Sequence, residues 1–168
     1  MAWELIRHVS PPSSGELVAD GLDLTPYATV RGLVTGLSVL TDDSDIFMRL
    51  YLAGALVTST YRMLVEGRSS FGTNAGDDST SIAQWPLSRN AAAWGVSSVA
   101  HACFVADFFL NDPTAVGLRR QMNFHSSLLS GNDSTAIHVY GGGSVDNTGE
   151  ITGLKVYGSS QLLRGSLT

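Results

Sequence analysis

Strict apolar–polar alternation is the feature that most narrows what this chain can fold into. In residues 45–53, Ile46, Met48, Leu50 and Leu52 fall on one face, against Phe47, Arg49 and Tyr51 on the other. Residues 57–66 repeat the pattern, with Val57, Ser59, Tyr61, Met63 and Val65 against Thr58, Thr60, Arg62, Leu64 and Glu66. A period of two marks a strand with one buried face, because successive side chains of a strand point to opposite sides of the sheet. Gly54-Ala55 between the two segments predicts a hairpin. Residues 151–157 alternate again, Leu154 and Val156 against Lys155 and Tyr157. Gly158-Ser159-Ser160 is turn chemistry and residues 162–167 read as a returning strand, so a second hairpin is expected to close the fold.

The remaining sequence supports an all-β chain. Only 15% of the 168 residues are charged and 18 are glycine, the palette of a turn-rich β-protein. That length fits one domain, residues 1–168. Further strands are predicted at 3–9, 16–24, 27–40, 81–87, 117–126 and 135–140. Gly32 and Gly36 predict a bend or bulge in the third strand, and Pro86 confines its segment to an edge or an end. Residues 67–80 are polar and glycine-rich and predict a long loop, and Gly141-Gly142-Gly143-Ser144 predicts a flexible turn. The expected architecture is an antiparallel β-sandwich, jelly-roll-like, of about nine or ten strands, with helix confined to a turn or two near residues 90–95.

Residues 96–110 fit two patterns. Val96, Val99, Ala100, Cys103, Ala106 and Leu110 make a helical stripe, but Val and Phe are strand formers and the neighbours are β, which favours a strand. As a strand the segment is apolar on both faces. Val99, Val105 and Phe109 then lie on the face that a sandwich core does not cover, which makes them candidates for an interface between copies. No membrane insertion is expected here: Ser97, Ser98, His101 and Asp107 interrupt residues 91–110, and an Asp at membrane depth costs about 2.5–3.5 kcal/mol. Met1-Ala2-Trp3-Glu4 lacks the charged start and apolar run of a secretory signal.

Few residues point to chemistry. A net charge of −5 with scattered Lys and Arg argues against nucleic acid, which needs clustered cations. The single Cys103 allows no internal disulfide and reads as a buried thiol. His8, His101, His125 and His138 lack the spacing of a zinc site. Asp42-Asp43-Ser44-Asp45 could offer oxygens to calcium, but without the glycine and distal Glu of a calcium loop it reads as a solvated turn. There is no nucleophile elbow and no phosphate loop. The expectation is therefore a protein without metal or cofactor that is not an enzyme. Trp85 and Trp94 bracket a loop next to the polar segment and are candidate glycan contacts, since sugars stack on aromatic faces; the competing reading makes both indoles core or interface anchors.

The C-terminal residues Thr152-Gly153-Leu154-Lys155-Val156-Tyr157-Gly158-Ser159, followed by Gly165-Ser166-Leu167, resemble the ending of small β-sandwich structural proteins of tailed-bacteriophage virions. Trp3-Glu4-Leu5-Ile6 with Gly21-Leu22-Asp23 and Tyr27 is similar to the opening of such proteins, and residues 45–52 to one of their strands. The chain departs from them at Leu167-Thr168, where many carry Leu-Tyr-Gly, and at Ala53-Gly54, which stands for a longer glycine-rich turn. The resemblance implies a virion component: a capsid decoration or head-fibre protein, or a tail-tip or fibre module. Such a part docks on other virion proteins, works as a homotrimer and displays loops, residues 67–80 among them. The alternative is a carbohydrate-binding module that recognises a host surface glycan. No catalytic residue is carried over.

Overall fold

The computed structural model describes residues 4–10, 15–70, 72, 74–88, 96, 98, 104–115, 117–130 and 135–168. Among these, the secondary structure is strand throughout, in two antiparallel sheets packed face to face as a β-sandwich. The smaller sheet runs β1 (Glu16–Ala19), β11 (Ile151–Gly158), β3 (Ile46–Leu52) and β4 (Ala55–Leu56), with β7 (Trp85–Pro86) also paired to β3. The larger runs β12 (Leu162–Leu167), β2 (Thr29–Val39), β8 (Phe104–Asn111), β9 (Arg120–Leu129), β10 (Ala136–Val145), β5 (Tyr61–Ser69) and β6 (Asn74–Ile82). The chain passes repeatedly between the sheets, and the β8–β9–β10 meander is its longest stay in one of them.

Among the described residues, twelve strands replace the expected nine or ten, and the corrections have physical causes. Residues 67–80 are not a long loop: β5 extends to Ser69 and β6 pairs back on it from Asn74. The segment looks like a loop because β6 is an edge strand made of small polar and acidic residues, which keep its open edge from pairing with other chains. Both predicted hairpins also fail. After Ala53 and Gly54, which turn with positive φ, only Ala55 and Leu56 pair back on β3, and the chain then crosses to the other sheet as β5. Likewise β11 and β12 lie in different sheets, so Gly158-Ser159-Ser160 is a crossover. Residues 4–10 form no strand, only a bridge from Val9 to Leu167. The expected helical turn near 90–95 lies outside the described residues.

The alternation itself holds. Ile46, Met48 and Leu50 are fully buried, as are Tyr61 and Val65. In β8 the buried side chains are Phe104, Ala106, Phe108 and Leu110, which settles that part of residues 96–110 as a strand. Gly36 makes the predicted bulge: with φ of 64° it supplies the extra residue between the Val34–Ala106 and Leu37–Phe104 pairs. Gly32 serves packing instead, since a Cβ there would lie 2.0 Å from the ring of Phe108.

Polar bolts cross between the sheets. The Tyr61 hydroxyl accepts the Leu50 N–H at 2.9 Å and donates to the Val57 carbonyl at 3.2 Å. Leu50 needs this partner because it sits between the two short stubs β4 and β7, where the edge of β3 has no strand beside it. The Trp85 indole N–H donates to the Arg62 carbonyl at 3.0 Å, and its ring meets Tyr61 edge-on at 5.0 Å. Nearby, the Ser126 hydroxyl donates to the Leu87 carbonyl at 2.6 Å.

Candidate functional site

Among the described residues, the sequence-predicted site residues Trp85, Val105 and Phe109 do not form one site. Trp85 is only 1% exposed and is a core residue, so its indole offers no open face to a sugar. Trp94 and Val99 lie outside the described residues. Val105 does face outward from the larger sheet, 39% exposed, and Phe109 is half-buried on the same face with the Arg31 guanidinium 5.7 Å from its ring centre. Asp107 stands between them in sequence and binds Arg31 through both carboxylate oxygens, at 2.9 and 2.5 Å. The outer face of β8 is therefore less apolar than its sequence implies.

The structure assembles a different site on the outer face of the larger sheet. Antiparallel register lines up outward side chains in rows across β9, β10 and β5. One row is His125, Tyr140 and Glu66; the next is Asn123, Gly142 and Leu64; the third is Gln121, Ser144 and Arg62. The middle row has no side chain at its centre, so the sheet is hollowed there into an open groove of about 1050 Å³. Asp78, Ser79 and Thr80 of the edge strand β6 bound the far side.

The three glycines of β10 serve different faces. Gly141 and Gly143 face the core: a Cβ at Gly143 would lie 2.5 Å from the Trp85 indole nitrogen, and one at Gly141 3.0 Å from the Phe124 ring. Gly142 faces the groove, where a Cβ would stand 2.7 Å from Asn123 Oδ1. A glycine run that predicts a flexible turn is thus a paired strand. It is narrowed on one side for Trp85 and Phe124, and emptied on the other to floor the groove.

Local hydrogen bonds hold the groove's rim. Tyr140 donates its hydroxyl to Glu66 Oε2 at 2.6 Å, a bond that raises the tyrosine's pKa above its ordinary value. Ser127 Oγ and His138 Nδ1 are 3.1 Å apart, and His138 lies 5.9 Å from His125, ring centre to ring centre. Arg62 and Arg119 both pair with Asp146 at the groove's lower end, at 3.4 and 3.0 Å. The Ser127–His138 contact has the two elements of a hydrolytic dyad. Among the described residues no carboxylate is bonded to the His138 ring to orient it, as a triad requires.

The other residues that the sequence raises for chemistry are placed as follows. In the Asp42–Asp45 turn, Asp42 Oδ1 accepts the Ser98 N–H at 2.6 Å and Ser44 bonds the Thr41 carbonyl. Among the described residues no group of three or more His, Cys, Asp or Glu is placed to hold a metal ion, and no helix is long and apolar enough to cross a membrane. His8 bonds the Thr168 hydroxyl at 2.8 Å, and His101 and Cys103 lie outside the described residues. No family model, no curated protein and no solved structure matches the chain.

The sequence carries a signal for the groove residues that local pattern alone does not turn into a site. Gln121, Asn123, His125 and Ser127 alternate with buried residues, and His138, Tyr140, Gly142 and Ser144 do the same. Two such polar faces mark a site only when register sets them side by side.

Proposed function

We propose that this protein is a non-catalytic structural module of a bacteriophage virion, docking on other virion proteins and presenting the outer face of its larger sheet as a binding surface. The virion setting comes from the resemblance of the C-terminal residues. The observation that carries the binding role is the groove floored by Gly142. It is broad and open, with Tyr140 bonded to Glu66 on its rim and the Ser127–His138 pair beside it. General acid–base or nucleophilic chemistry needs groups converging on one reacting atom, each oriented by a partner.

A carbohydrate-binding role in host adhesion is the second reading, favoured by the amides of Asn123 and Gln121 and the Tyr140 ring in that groove. Adding the purified chain to phage particles produced without it tests the main proposal. The chain should join them saturably and be recovered with them by sedimentation. Failure to join would end the virion assignment, and turnover of an ester, glycoside or phosphate ester, lost on mutating one groove residue, would make the protein an enzyme.

A further inference from the structure

We infer that the groove over Gly142 is a binding site for a neutral saccharide. The inference rests on the displayed-face reading above and assigns that face a ligand class. Its lining combines planar amides at Asn123 and Gln121, carboxylates at Glu66 and Asp78, and the half-exposed ring of Tyr140. Side-chain amides offer donor and acceptor together, and carboxylates accept two hydrogen bonds, the pattern that adjacent sugar hydroxyls satisfy. The Tyr140 ring gives the C–H face of a pyranose an apolar platform, and its bond to Glu66 fixes the ring in place before any ligand arrives. From Tyr140 to Ser144 the trough runs about 13 Å, four residues at roughly 3.3 Å each.

Other ligand classes fit poorly. Of the formal charges in the lining, Glu66 and Asp78 are negative and Arg62 is already paired to Asp146, so phosphate, sulfate or sialic acid would meet net repulsion. An extended peptide is taken up by main-chain bonds at a sheet edge, whereas this site is on a sheet face. A lipid tail would find one exposed aliphatic side chain, Leu64, since Met63 and Met122 are buried beneath the groove. Gly142 leaves its row without a side chain at the centre, and the Asn123 amide oxygen lies over it, 2.7 Å from where a Cβ would stand.

The test is a glycan array with the full chain, carrying neutral oligosaccharides (maltohexaose, cellohexaose, N-acetylchitohexaose, mannan fragments) beside sialyllactose and heparin oligosaccharides. Calorimetric titration of the best binder follows. The expected result is saturable binding of a neutral oligosaccharide, at least tenfold weaker in Tyr140→Ala and in Asn123→Ala, and unchanged in Leu163→Ser, which lies exposed on β12 outside the groove. Gly142→Val should abolish binding. Because it crowds Asn123, its folding is checked by circular dichroism, and the two milder variants carry the test if it fails to fold. Absence of saturable binding, binding confined to the anionic sugars, or binding indifferent to Tyr140→Ala and Asn123→Ala would each overturn the inference. Recovery of the same variants with particles reads the virion proposal separately, since loss of sugar binding should leave it intact.

Discussion

At the scale of single residues, buried polar groups decide where this sandwich is vulnerable. Tyr61→Phe keeps the ring against Trp85 but removes the oxygen that accepts the Leu50 N–H. An unpaired buried donor costs about 1–3 kcal/mol, so the urea midpoint should fall accordingly with the slope unchanged. Burial of the Tyr61 phenol pushes its pKa up to about 12, and the hydroxyl stays protonated wherever the fold is stable. Asp45 behaves oppositely to a salt-bridged acid. Burial, aided by the Asp43 charge, raises its pKa from 3.8 to about 6. A raised carboxyl pKa favours the folded state while protonated, so this contribution is full below about pH 4 and is lost as pH rises through about 6. With its partial exposure the loss is about 1–2 kcal/mol. Asp45→Asn should therefore be more stable than the unmodified protein at pH 7.5 and level with it near pH 4, as read by denaturant midpoints at the two pH values.

At the scale of elements, Arg120 and the β5–β6 hairpin carry the consequences. Arg120 is almost wholly buried at the start of β9 and donates to the carbonyls of Asp112, Thr148 and Gly149, at 2.8, 3.1 and 2.8 Å. One guanidinium therefore ties the end of β8 to the β10–β11 connection. Arg120→Met should cost about 3 kcal/mol, because three main-chain carbonyls lose a charged donor, and hydrogen exchange should quicken first around residues 146–150. The hairpin changes what a deletion means. If residues 67–80 were a loop, removing 69–77 would leave the fold intact. Since β6 pairs with β5 from Asn74 to Ile82, that deletion removes the first part of an edge strand, the part that leads into the groove wall at Asp78, Ser79 and Thr80. Thermal melting should show a clear loss of stability, whereas a short insertion between 70 and 73 should be tolerated.

At the scale of the whole molecule, the proposed homotrimer meets a mixed surface on β8. Val105 is exposed there, but the Arg31–Asp107 ion pair and the Arg31 guanidinium beside Phe109 already occupy much of the face. If the trimer uses this face, light scattering at micromolar concentration should give three copies for the unmodified chain and one for Val105→Asp. A monomer in both would remove self-association from the proposal. What the sequence determined by itself was the strand character and the inside–outside assignment, from Ile46 to Leu52 and again from Tyr61 to Val65. Those follow from a local period of two that each segment carries alone. Gly36 announced its bulge for the same local reason. Partner choice was decided only by tertiary structure: β3 does not pair with β5, β11 does not pair with β12, and a polar segment becomes an edge strand. Those outcomes depend on which buried faces meet across the two layers, and no local pattern encodes that. The candidate site belongs to the same class. Asn123, Tyr140 and Gly142 form a groove only because β9 and β10 pair in one register, and because Trp85, arriving from the other sheet, requires a glycine at 143.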